Sequence, residues 1–173
     1  MDNSFFKYLQ ILEILAFFSG FPLIYLLVSF ISDRSGKKNG IGNRLYALLP
    51  FVYAVIGILF VGLQLKKLYP DFSSSHISAE IQNSFLAIWG VSTLLFFIPV
   101  LNKKPVFSLL HSLVFLFVIV YKFYIQLSTS TPDNDVLKNY IRVYTDSIIL
   151  GAVVLGVLII SYYSVKFFRQ KIS

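Results

Sequence analysis

Apolar runs long enough to cross a bilayer constrain this chain more than any other feature. A transmembrane helix needs about 20 consecutive apolar residues. The chain holds five such stretches: Phe5–Ile31, Leu45–Leu65, Ile81–Leu101, Val106–Leu127 and Ile148–Phe168. None has the period-two alternation of a lipid-facing strand, which argues against a β-barrel. The expected fold is all-α: a polytopic transmembrane helical bundle of five spans, forming a single domain over residues 1–173. Only 13% of the residues are charged, against about 25% in an ordinary soluble domain. The loops left between the spans are too short to fold on their own.

Local chemistry refines the spans. Gly20-Phe21-Pro22 lies inside the first one, and proline removes a helix hydrogen bond, so a bend is expected there. The leader Met1-Asp2-Asn3-Ser4 has no basic residue, and the apolar run that follows is longer than the roughly 7–15 residues of a signal core. The first span therefore reads as a retained helix. Asn102-Lys103-Lys104-Pro105 is a tight turn, which makes the third and fourth spans antiparallel neighbours. After Pro132-Asp133, a helix start signal, the residues Val136, Leu137, Tyr140, Ile141, Val143 and Tyr144 recur at helical spacing. They predict a helical extension over 135–147, outside the lipid, leading into the fifth span.

Orientation follows from the excess of Lys and Arg on cytoplasmic loops. Nine basic residues fall on one side: Arg34, Lys37, Lys38, Arg44, Lys103, Lys104, Lys166, Arg169 and Lys171. Five fall on the other: Lys7, Lys66, Lys67, Lys138 and Arg142. Of the acids, only Asp33 accompanies the larger group. The amino terminus is thus expected outside and the carboxyl terminus in the cytoplasm, with the protein in the plasma membrane (the inner membrane in a bacterium). The net charge of +7 is spent beside apolar segments, where it faces phospholipid headgroups. No basic, aromatic-interleaved soluble face exists for nucleic acid.

Ionisable groups at membrane depth are functional candidates because each costs about 2.5–3.5 kcal/mol near a helix centre on insertion scales. Three stand out: Glu13, His111 and Lys122. Glu13 lies roughly 12 Å inside the outer end of the first span, and Lys122 about 8 Å inside the outer end of the fourth, at 1.5 Å per residue. Their similar depth suggests an ion pair between those helices. The alternative is that Lys122 snorkels to the interface while Glu13 is protonated or hydrogen-bonded to a Tyr or Ser. His111 and Lys122 are eleven residues apart and share a helix face, flanked by Ser108 and Gln126 and interrupted by Phe115 and Val118. Such a stripe would line a polar path or hydrogen-bond to a neighbouring helix.

Other functional classes lack their residues. With no cysteine, thiol chemistry and disulfides are ruled out. His111 has no second His one turn away and His76 lies in a loop, so no metal is expected; no cofactor is expected either. Phosphate-binding loops, HExxH, GxSxG and paired carboxylates are missing, which argues against an enzyme. Trp89, beside Gly90, Ser92 and Thr93, is expected to pack on another helix, and Ala152-x3-Gly156 permits a close helix approach. The functional expectation is an accessory, assembly or partner-binding subunit, meeting the lipid bilayer and other membrane proteins or itself. The competing expectation is a small channel or transporter with a path along the fourth span.

Overall fold

A computed structural model of the chain describes residues 3–34, 41–69, 85–129 and 133–172, and among them there is no strand. The helices are α1 (Asn3–Phe18), α2 (Phe21–Arg34), α3 (Ile41–Leu68), α4 (Phe85–Val91), a 3-10 helix (Ser92–Phe97), α5 (Pro99–Asn102), α6 (Pro105–Leu127) and α7 (Asn134–Ile172). Four helical stretches are long and apolar enough to cross a membrane: Tyr8–Arg34, Gly42–Lys67, Pro105–Leu127 and Asn134–Val165. The protein is therefore an all-helical membrane protein.

The bend at Gly20 appears as a break between α1 and α2. Ser19 closes α1, its backbone N–H and its hydroxyl both donating to the carbonyl of Leu15. Gly20 then starts α2 by accepting from Leu23 and Ile24, and Pro22 sits in the first turn, where its missing N–H costs nothing. The glycine is needed for space. A Cβ there would lie 2.5 Å from the backbone N and 2.9 Å from the Cα of Ile148 on α7. In the same approach, Gly20 N–H donates to the buried Ser147 hydroxyl at 2.8 Å.

The third apolar stretch differs from the uninterrupted helix expected over 81–101. Residues 81–84 lie outside the described ones. From Phe85 the chain makes two turns of α-helix, tightens to 3-10, and reaches extended backbone at Ile98 (φ −69°, ψ 128°) before the short α5. Pro99 explains the stop, since a proline pushes its predecessor out of the α region. Ser92 and Thr93 explain the tightening. Their hydroxyls donate at 2.6 Å to the carbonyls of Trp89 and Gly90, three residues back, and so satisfy acceptors that a changed winding frees. The helical part, Phe85–Phe97, is shorter than the four long spans.

Side-chain contacts give the helix directions. α3 runs antiparallel to α1 and α2, with Phe60 on Phe18, Tyr53 on Phe21 and Tyr25 on Tyr46. The broken segment runs antiparallel to α3, pairing Gly90 with Phe60, Thr93 with Gly57, Phe96 with Tyr53 and Phe97 with Phe51. α6 turns back at Asn102–Lys104 and runs parallel to α3: Tyr53 meets His111, and further along Phe60 and Phe115 both meet Phe18. α7 is parallel to α1 and α2, matching Tyr140 to Tyr8, Ser147 to Gly20 and Gly151 to Ile24.

α7 is one continuous helix of 39 residues, about 58 Å at 1.5 Å per residue. The predicted extension and the fifth apolar stretch are thus parts of a single rod. Asp133 caps it, its carboxylate accepting from the N–H groups of Asp135 and Val136 at 2.9 and 3.3 Å. The core lies where α1, α3, α6 and the broken segment converge. Phe18, Phe21, Tyr53, Phe60 and Phe115 are all buried to within 1% exposure, with Phe18 stacked on Phe115 at 4.7 Å between ring centroids.

Candidate functional site

Two polar clusters interrupt this apolar interior. The first is built around His111, on the inward face of α6. Its Nδ1 lies 2.8 Å from the hydroxyl of Tyr53 on α3, and its Nε2 lies 2.8 Å from the hydroxyl of Ser92 at the start of the 3-10 helix. The Trp89 indole stacks on the imidazole, 4.5 Å between centroids and 6° from parallel. The indole N–H donates to the His111 carbonyl at 3.1 Å. Phe96 and Phe115 close the remaining sides of the ring. Three separate stretches of sequence therefore meet on one imidazole, with both ring nitrogens engaged.

The local sequence makes this convergence possible. Gly57 leaves no side chain on the face of α3 that the Thr93 hydroxyl occupies, so the 3-10 helix seats directly on the α3 backbone. Thr93 is fully buried there. Ser108, one turn before His111, and Ser112, the residue after it, are also fully buried, but their hydroxyls bond to carbonyls of their own helix, Pro105 and Leu109. They let helices approach without presenting polar atoms to a path.

The second cluster holds Glu13. One carboxylate oxygen accepts from the Gln64 side-chain amide at 3.4 Å, and the other is paired with the Lys67 ammonium. Gln64 and Lys67 are three residues apart on α3 and thus share a face. The antiparallel register that seats Phe18 on Phe60 brings both level with Glu13. Neither the pairing of Glu13 with Lys122 nor a Tyr or Ser partner for Glu13 is what the structure holds. Measured from the stacked rings of Phe18 and Phe115, Glu13 and Lys122 lie about 8 and 10 Å toward the same side, so their depths do match. Depth alone did not choose the partner. Lys122 is half-buried on α6 and, among the described residues, has no ion-pair partner.

The three candidates are therefore not brought together. His111 belongs to the central node, Glu13 to a clamp between α1 and α3, and Lys122 to neither. The node's other members, Tyr53, Ser92 and Trp89, carried only weak signals in the sequence. Trp89 was marked by its mid-span position and Ser92 by its place beside it, whereas Tyr53 looked like any other aromatic of an apolar run. Lys67 was visible as an outer-side lysine at the end of its span. Among the described residues, no group of three or more His, Asp or Glu side chains is gathered as a metal site.

The fold and these clusters define a membrane protein with a closed aromatic centre and a buried hydrogen-bonded histidine. No protein-family model matches the chain, and no curated protein or solved structure is significantly similar to it.

Proposed function

We propose that this chain is an accessory or assembly subunit of the plasma membrane that binds other membrane proteins, or copies of itself, through its lipid-facing helices. In this reading it crosses the bilayer five times, with its amino terminus outside and its carboxyl terminus in the cytoplasm. The observation that carries the functional part is the closed centre. Phe18, Tyr53, Phe60 and Phe115 fill the middle of the bundle with buried, mutually packed rings. A transport path along α6 would have to pass Phe115, which is fully buried against Phe18 and separates His111 from Lys122.

The outward faces favour association. Only 11% of the most apolar stretch of α7 is buried within the protein. Ala152 and Val153 are exposed, Val157 and Ile160 likewise, and a side chain added at Gly156 would meet nothing within 4 Å. The small-residue spacing thus points away from the bundle, where it permits close approach by another helix. A photoreactive phenylalanine analogue at Val157 is expected to form adducts with protein in native membranes. Adducts with lipid alone, together with flux in proteoliposomes that Glu13→Gln abolishes, would overturn this reading in favour of transport.

Support for five crossings comes from direction. α3 and α6 run parallel, so the chain between them has to return through the thickness of the bundle, and Phe85–Asn102 is antiparallel to both. With helical rises of 1.5 and 2.0 Å, its seven α-helical and six 3-10 residues cover about 22 Å. The absence of native cysteine allows a clean labelling test. Cysteine placed at Thr129 or Asp135 should react with an impermeant maleimide in intact cells. Cysteine at Lys103 should react only after permeabilisation, and labelling of all three from one side would sink the five-span topology.

A further inference from the structure

The hydrogen bonds around His111 can be given a direction, because the protons available are few. Ser92 has one hydroxyl proton and two oxygens or nitrogens within reach: the Trp89 carbonyl at 2.6 Å and His111 Nε2 at 2.8 Å. A carbonyl oxygen can only accept. If Ser92 donates to it, the Ser92 oxygen must accept from His111, which places the ring proton on Nε2. Nδ1 is then a bare lone pair, and it accepts from the Tyr53 hydroxyl at 2.8 Å. Every proton in the chain Tyr53, His111, Ser92, Trp89 carbonyl is used once, and three hydrogen bonds result.

The two alternatives are worse. With the ring proton on Nδ1, that N–H points at the Tyr53 oxygen and Ser92 donates to Nε2. The Trp89 carbonyl then loses the hydroxyl, and the Tyr53 proton has no acceptor among the described residues. Tyr53 is fully buried, so an unmet donor there is costly. With both nitrogens protonated, the Tyr53 proton is stranded in the same way, and a positive charge sits among Trp89, Phe96 and Phe115 with no acid beside it. The titratable side chain contacting the ring, among the described residues, is Tyr53 from α3. The broken segment contributes Trp89, Ser92 and Phe96, and α6 itself contributes Phe115.

We propose that His111 is a latch: held neutral with its proton on Nε2, it fixes the junction where α4 turns into 3-10 helix against both α3 and α6. The relay ends on the Trp89 carbonyl, which lies at that junction. The Trp89 indole returns the bond by donating to the His111 carbonyl at 3.1 Å, so the two residues hold each other by stacking and by a closed ring of hydrogen bonds. Opening the latch deprives the Tyr53 hydroxyl of its acceptor and the Ser92 oxygen of its donor together. The segment most affected is Phe85–Phe97, the least regular helix in the interior. The inference stands apart from the partner-binding reading, because it concerns how the bundle holds its own broken segment.

The decisive measurement needs no change at the latch. In the full chain, His76→Gln leaves His111 as the single histidine, and its ring nitrogens are read by 15N NMR in lipid nanodiscs. The expected result is one neutral tautomer, with a pyrrole-type Nε2 and an imine-type Nδ1. The opposite tautomer, a mixture, or a charged ring at neutral pH would overturn the proposal. The second arm is amide exchange. Ser92→Ala removes both bonds of that hydroxyl, from His111 Nε2 and to the Trp89 carbonyl, and should speed exchange across Phe85–Phe97 at least roughly tenfold. Ser92→Thr, which keeps the hydroxyl, should restore the native rate. An unchanged rate in Ser92→Ala would equally overturn the latch. His111→Phe, which keeps the ring stack but no bond, should match or exceed the effect of Ser92→Ala if it folds.

Discussion

Gly20→Ala is expected to be the most damaging single methyl that can be added to this protein. The new Cβ would sit 2.5 Å from the backbone N and 2.9 Å from the Cα of Ile148. Backbone atoms cannot swing aside as a side-chain tip can, so α7 itself has to move away from the break between α1 and α2. Overpacking a core usually costs about 1–3 kcal/mol, and a collision with backbone belongs at the top of that range. The Ser147 hydroxyl, which accepts from Gly20 N–H, would be displaced in the same movement. Denaturant titration in mixed micelles, read by tryptophan fluorescence from Trp89, measures the loss. Gly156→Ala is the control: nothing lies within 4 Å of its added Cβ, and stability should be unchanged or slightly improved, since alanine is the better helix former. Equal losses from the two substitutions would mean that the packing of α7 against Gly20 is wrong.

Charge reversal at Glu13 or Lys67 should have the second largest effect. Either single change, Glu13→Lys or Lys67→Glu, places like charges together where opposite ones now meet. An unpaired charge costs about 2.5–3.5 kcal/mol at a helix centre on insertion scales. Here the loss falls toward the low end, because 35% of the Lys67 side chain and 23% of that of Glu13 remain accessible and exposed pairs are worth less. Membrane-inserted, folded yield should fall in each single variant and return in the double swap. Glu13→Lys combined with Lys122→Glu should not restore it. Recovery by the Lys122 combination, and not by the Lys67 one, would reinstate the helix-one to helix-four pair.

The failure of the Lys122 pairing shows what the sequence could and could not carry. Helical period and apolar length are local properties, so the four long apolar helices and the bend at Gly20-Phe21-Pro22 could be read from neighbouring residues. The helical start near Asp133 was equally legible. Depth was legible too, since it needs only a count from a span end. Lateral position was not. Which helix stands beside α1 depends on ring-on-ring packing of Phe18, Phe60 and Phe115, and many phenylalanines in apolar runs look alike in sequence. The same limit hid Tyr53 from the His111 site. The broken third segment was only partly hidden. Pro99 and the adjacent Ser92-Thr93 pair stood in plain sight, but their effect on winding depends on the space that Gly57 opens on a different helix.

The histidine node also sets an order of construction. A chain is made amino end first, so Tyr53, Trp89 and Ser92 are all synthesised before His111. Until it arrives, the Tyr53 hydroxyl has no acceptor in place and the junction at Trp89 lacks its anchor. Phe115, which closes the centre against Phe18, follows four residues later. The aromatic centre of this protein is therefore closed from α6, and a nascent chain stalled before residue 111 carries Tyr53, Trp89, Ser92 and Phe96 but neither the imidazole nor Phe115.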